Sequence, residues 1–209
     1  EKALFPAYVN SLGLKDENGT LLTLDADGNG SLKEYVKRVV MESAQRALDG
    51  DADLSDKTWL NIANGKVQSM DFTAYVKDIT RMKTAPAFDA LDLESPENDL
   101  FGNETTNCRH FTEYSTANTK VQGACAEAEV VKMLNPMEYV MDEKAKKAHH
   151  FRIRHGECDR DTSLVISAML VLKLREAGCE VDYHSPWNTP HAGDYDLDEL
   201  FAWIDGICG

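Results

Sequence analysis

Between residues 149 and 208 strand-like and helix-like patterns alternate with short links, and this order constrains the fold more than any other feature of the chain. "HHFRIRHG" (149–156) alternates apolar and polar residues, as a strand does. "DTSLVISAMLVLKLREAG" (161–178) is apolar nearly all round and ends at Gly178, as a helix laid over a sheet does. "EVDYH" reads as a second strand, "SPWNTPHAGD" as a loop and "YDLDELFAWIDGIC" as a last amphipathic helix. Strand, helix, strand and helix in this order predict a parallel α/β unit, which starts near residue 140.

The first part of the chain predicts helices and loops. "SLKEYVKRVVMESAQRALDG" places Val36, Val39, Val40, Ala44, Ala47 and Leu48 on one helical face. Ser31 and Glu34 have the spacing of a capping box, and Gly50 closes the helix. "SDKTWLNIANG" and "SMDFTAYVKDITRM" suggest two further short helices, the second with Phe72, Tyr75, Val76, Ile79 and Met82 inward. From Lys83 to about Lys120 the pattern dissolves into a long irregular connection. Its apolar residues Phe88, Leu91, Leu93, Leu100 and Phe101 imply that it is packed. "AEAEVVKMLNPMEYV" is again helical and stops near Pro136.

Charge excludes some partners. With 36 acids against 22 bases the chain carries a net charge of -14 among its 209 residues, which opposes binding to a nucleic-acid backbone or an anionic membrane. No apolar run approaches the roughly 20 residues of a membrane span. The opening "EKALFPAYVN" has neither Met nor a signal pattern and reads as a broken end. Cys108, Cys125, Cys158, Cys179 and Cys208 have no paired spacing, so a reducing compartment or free buried thiols are expected, and a cytoplasmic setting is favoured over a secreted one.

Two features suggest a site. Asp159 follows the first strand of the α/β unit, and His191 lies in the loop after the second. In open α/β sheets, loops at the carboxyl ends of strands hold working residues. An acid and a histidine in this order also close the chain of α/β-hydrolases. The chemistry explains the pairing: a histidine that takes a proton from a hydroxyl needs one fixed tautomer, and a carboxylate on its other nitrogen provides it. Taken singly, His191 reads as a solvated loop residue and Asp159 as a helix cap; the ordered pair reverses that reading. No Gly-x-Ser-x-Gly occurs; Ser11 and Ser31 each lack the strand and turn that expose a nucleophile.

The second feature is "DADGNGSLKEY". Asp25, Asp27 and Asn29 fall on the first, third and fifth positions of an EF-hand loop, but Val36 stands at the twelfth, where a bidentate Glu belongs. The preferred reading is an Asx-rich turn that caps the helix starting at Ser31. A weak calcium site, completed by an acid from around "DGDADLSD", is the alternative.

"KTAPAFDALDLESPENDLFG", "VVKMLNPMEYV", "FRIRHGECDRDTS" and "HAGDYDLDELFAWI" together resemble the C-terminal half of bacterial subtype B tannases and related feruloyl-type esterases. The resemblance implies an α/β-hydrolase with a large, mainly helical lid. Residues 1–140 would form most of that lid, and 141–209 the last part of the parallel sheet. The serine, oxyanion hole and first strands would lie upstream of Glu1, in a partner half. By the same resemblance Asp159 is the triad acid and His191 the base, while Lys83, Glu97 and Asp161 hold the hydroxyls of a galloyl ring. The implied activity is hydrolysis of esters of hydroxylated aromatic acids, with no cofactor required. A general carboxylesterase or peptidase on the same fold and a calcium-binding module are the rivals.

Overall fold

The computed structural model describes residues 2–191 and 193–209. Its N-terminal part contains α1 (Phe5–Ser11), α2 (Ser31–Asp49), β1 (Leu60–Ala63), β2 (Lys66–Met70) and α3 (Phe72–Asp78). Three short helices follow, α4 (Pro96–Asp99), α5 (Glu113–Ala117) and α6 (Ala128–Leu134), with a 3-10 turn at Pro136–Glu138. The chain closes with β3 (His150–Arg154), α7 (Leu164–Glu176), β4 (Glu180–His184) and α8 (Leu197–Cys208). β3 and β4 pair in parallel, from His150 opposite Glu180 to Arg154 opposite His184. Gly178 adopts φ 80° just beyond α7, a left-handed conformation that a residue with a side chain resists, and the chain turns there into β4.

One hydrophobic cluster joins the two ends of the chain. Val9, Leu14, Leu22, Leu32, Val36, Val39, Val40, Trp59 and Tyr75 pack with Leu164, Ala168, Met169 and Leu172 of α7. α2 therefore lies against the helix that covers the strand pair, and the apolar faces read from residues 32–44 and 164–172 meet each other. Ser43 completes that seam through a buried hydrogen bond to the carbonyl of Ser185. α8 buries none of its residues within this chain, leaving Leu197, Phe201 and Ile207 exposed. Among the described residues no helix is long and apolar enough to cross a membrane.

Several local expectations need correction. "SDKTWLNIANG" is not a helix: it leads into β1 of an antiparallel hairpin. Asn64 and Gly65 at its tip both have positive φ, 52° and 69°, the geometry that an Asn-Gly turn favours between strands. α3 is shorter than expected and ends at Asp78, so Met82 is 61% exposed instead of inward, and Val76, expected on the same inward face, is 37% exposed. The capping box before α2 does not form, because Gly30 takes the N-cap. Ser31 is the first helical residue, and its Oγ accepts the Thr23 N–H at 2.9 Å, tying the preceding loop to the helix. Gly30 has φ 139°, and a Cβ there would collide with the Thr23 carbonyl. In the irregular connection Phe101 is buried and stacks on Phe111 at 4.0 Å, but Leu100 faces outward.

The fold of residues 84–126 is organised around a buried carboxylate. Asp89, 2% exposed, takes hydrogen bonds from Asn98 Nδ2, His110 Nδ1, the Phe111 and Thr112 backbone N–H groups and the Thr112 hydroxyl. Burial raises its pKa, but these donors outweigh it and hold the group below the ordinary carboxylate range. A chain with little regular structure here thus satisfies a buried charge entirely from within.

Candidate functional site

Two loops at the carboxyl ends of β3 and β4 form the site, and their backbones hold them together. The Glu157 N–H donates to the Pro186 carbonyl at 3.0 Å, and the Cys158 N–H to the Thr189 carbonyl at 3.2 Å. Gly156 is required by this contact: a Cβ would drive into the carbonyl oxygens of Thr189 and Pro190. The sequence showed this glycine only as the end of a strand.

The clamp places Asp159 against His191, with Asp159 Oδ2 3.0 Å from His191 Nδ1. Asp159 is 5% exposed, while the His191 side chain is 54% exposed. The other oxygen, Oδ1, accepts the backbone N–H groups of Asp161 at 2.7 Å and Thr162 at 2.9 Å, an Asx turn that fixes the carboxylate. Burial raises the Asp159 pKa, but the Thr162 N–H, His191 and the Asp161 N–H together hold it below the usual range, so the group is ionised. Its charge puts the proton of a neutral His191 on Nδ1 and leaves the Nε2 lone pair able to take a proton from a hydroxyl.

Asp161 joins this pair: a carboxylate oxygen of Asp159, one of Asp161 and a ring nitrogen of His191 lie within 4.8 Å of one another. Lys83 and Glu97 are paired with each other, Nζ to Oε1, at 3.0 Å, and each side chain is 28% exposed. Ser95 also donates to Glu97. Burial pushes the Glu97 pKa up, but Ser95 and Lys83 outweigh it and hold the carboxyl low. The lysine also lies 4.8 Å above the centre of the Phe88 ring. The segment carrying Lys83 is tied to the Asp159 loop: the Met82 N–H donates to the Arg160 carbonyl, and Arg81 donates to the Asp161 carbonyl. Arg81 was not singled out from the sequence, where it reads as one charge among many.

A cleft of about 590 Å³ borders Asp159, His155, Glu157, Phe72 and Tyr75, yet none of His191, Lys83, Glu97 or Asp161 lines it. The cleft thus meets the site at Asp159 alone, while Asp161 and His191 stand outside it and Lys83 and Glu97 form a pair of their own. Asp25, Asp27 and Asn29 lie elsewhere, in the loop before α2. Asp25 Oδ1 accepts the N–H groups of Asp27 and Asn29 at 3.0 and 2.8 Å, which makes the loop an Asx turn, and Val36 is buried in the core. All five cysteines are free thiols, but none is buried as expected: Cys125 and Cys208 are exposed and Cys108, Cys158 and Cys179 are half-buried.

Neither family models nor curated proteins give a match to this sequence. Solved structures do. The tannin acyl hydrolase of Lactobacillus plantarum matches with 43% identity and a TM-score of 0.96, over 100% of this chain and 45% of that one. A tannin acyl hydrolase in complex with ethyl gallate matches with 43% identity and a TM-score of 0.95, over 100% and 45% of the two chains. The tannase of Fusobacterium nucleatum matches with 44% identity and a TM-score of 0.91, over 99% and 44%. The fold is accordingly of α/β-hydrolase type. Over its whole length the chain is tannase-like, and it spans a little under half the length of the tannases that it matches.

Proposed function

We propose that this chain carries the acid and base of a serine carboxylic-ester hydrolase acting on esters of hydroxylated aromatic acids. The observation that carries the reading is the 3.0 Å contact between Asp159 and His191, delivered by successive strand-end loops in the order α/β-hydrolases use. Residues 141–209 act as the closing part of the hydrolase sheet, and 1–140 as a lid. The nucleophilic serine comes from polypeptide corresponding to the rest of the relatives' length.

His191 Nε2 takes the proton from the serine hydroxyl as its oxygen attacks the ester carbonyl. Asp159 stabilises the imidazolium that results. The same proton then goes to the departing alcohol, and a water repeats the sequence to release the acid. No cofactor enters this route. Lys83, Glu97 and Asp161 grip the ring: the carboxylates accept phenolic hydroxyls and the ammonium donates to a phenolic oxygen. A ring without hydroxyls desolvates Asp161 and the Lys83–Glu97 pair without giving them phenolic partners, at about 1–3 kcal/mol for each lost hydrogen bond and more where charged.

The test is kcat/KM for paired gallate and benzoate esters in the hydrolase containing this chain. Glu97→Ala and Asp161→Ala should each lower the gallate value far more than the benzoate value. Equal losses on the two esters would return the question to a general esterase on the same fold.

A further inference from the structure

We propose that His155 is a positioning residue for the Asp159–His191 pair, held as the neutral Nε2–H tautomer so that it directs an N–H at the acid. The inference rests on the reading of that pair given above. His155 follows β3 directly and is 9% exposed. Its Nε2 lies 3.3 Å from Asp159 Oδ2, the same oxygen that His191 contacts, and 3.2 Å from the Thr162 carbonyl. Both neighbours are acceptors. A bare lone pair on Nε2 would face two oxygens, so this nitrogen carries hydrogen.

The other nitrogen decides whether the ring is also charged. Nδ1 is 3.0 Å from Ser167 Oγ, which is 3.2 Å from the Tyr183 hydroxyl and 3.0 Å from the Leu164 carbonyl. The charged and titratable groups facing the ring are Asp159, His191 and Arg81, with Tyr183 one hydroxyl further away. Burial lowers the His155 pKa, and Arg81 and His191 add to that, against the opposing pull of Asp159 and the Thr162 carbonyl. Tyr183 stays a phenol, its pKa pushed up to about 12 by burial. In the neutral ring Tyr183 donates to Ser167, whose single hydroxyl hydrogen is shared between the Leu164 carbonyl and His155 Nδ1, and His155 Nε2–H donates to the Thr162 carbonyl with Asp159 Oδ2 beside it. Two backbone donors on Oδ1, His191 on Oδ2 and the His155 N–H beside that oxygen favour the carboxylate orientation that faces His191.

The experiment follows the histidines of this chain by 15N NMR across pH, in wild type, His155→Leu, His155→Gln and Ser167→Ala. Removing the N–H leaves Asp159 more basic, so His155→Leu should raise the His191 titration midpoint by about half a unit or more. Glutamine restores an N–H near the lost Nε2 and should return the midpoint toward wild type. Wild-type His155 should show the neutral Nε2–H tautomer and keep it in Ser167→Ala, because the two oxygens at Nε2 set it; an Nδ1–H or doubly protonated ring in either protein overturns the assignment. An unchanged midpoint in His155→Leu, or equal shifts in the Leu and Gln variants, overturns the role. If circular dichroism shows His155→Leu unfolded, the tautomer in wild type and Ser167→Ala decides. Asp159→Asn is the control: if it leaves His191 unmoved, the catalytic pair itself fails, and this inference falls with it.

Discussion

Glu157 offers the sharpest stability test, because it is a carboxyl that the fold buries beside the site without a salt bridge. It is 4% exposed, and burial pushes its pKa to about 7 from the ordinary 4.5, against smaller opposing effects of the Asn188 N–H and Lys57. Folding therefore favours the protonated form. Below about pH 4.5 the group is neutral in both folded and unfolded chains and costs nothing. As pH rises from 4.5 through 7 the unfolded chain ionises first, and stability is lost until the folded group ionises too. At 1.36 kcal/mol per unit, the 2.5-unit difference amounts to about 3 kcal/mol above pH 7. Glu157→Gln keeps the shape and the acceptor oxygen but cannot ionise. It should match wild type at pH 4.5 and exceed it by about 3 kcal/mol at pH 8, roughly 6–12 °C in Tm for a chain of this size. The assay is urea and thermal unfolding of both proteins from pH 4.5 to 8.5, followed by circular dichroism. A stability difference between the two that does not change with pH would refute the reasoning, since only an ionisation makes it grow.

Two further outcomes follow from the same geometry. His191→Ala in the complete hydrolase should reduce kcat by several orders of magnitude with KM little changed, as for other triad removals; steady-state kinetics on a gallate ester checks it, and activity within about tenfold of wild type removes His191 from the role of base. Asp89→Ala should cost about 3–5 kcal/mol, because it strands the buried donors of Asn98, His110 and Thr112; limited proteolysis should then cut first within residues 84–126, and a change below about 1 kcal/mol in urea unfolding would show that the network carries little.

The parts of the fold that depend on periodicity were legible in the residues. The apolar circumference of 164–174, the alternation of 150–154 and the stop at Gly178 each follow from side chains that must be buried together, and they locate Asp159 and His191 at neighbouring strand ends. What sequence spacing does not encode is which backbone groups meet across a gap. Asn64–Gly65 was the available sign of the hairpin, but the Trp59–Ile62 run preceding it fits a short helix equally well. The Ser31–Glu34 spacing matched a capping box, yet the close approach of Thr23 requires a residue without a side chain at the N-cap, and Gly30 takes it. His155 was invisible as a partner of Asp159 for a similar reason. An i, i+4 spacing suggests adjacency only along a helix, and here it spans a strand end and a turn.

The clamp between residues 156–158 and 186–190 governs how the site moves as well as how it rests. Its bonds run from backbone to backbone, so side-chain rotation in either loop does not loosen them. On the proposed reading the clamp keeps the Asp159–His191 separation nearly constant, and any displacement is of the pair as a whole relative to the nucleophile. Misalignment should arise at the seam between this two-loop unit and whatever presents the serine. The strictest demand for rigidity thus falls outside the Asp–His pair, on the contact that sets its distance from the reacting bond.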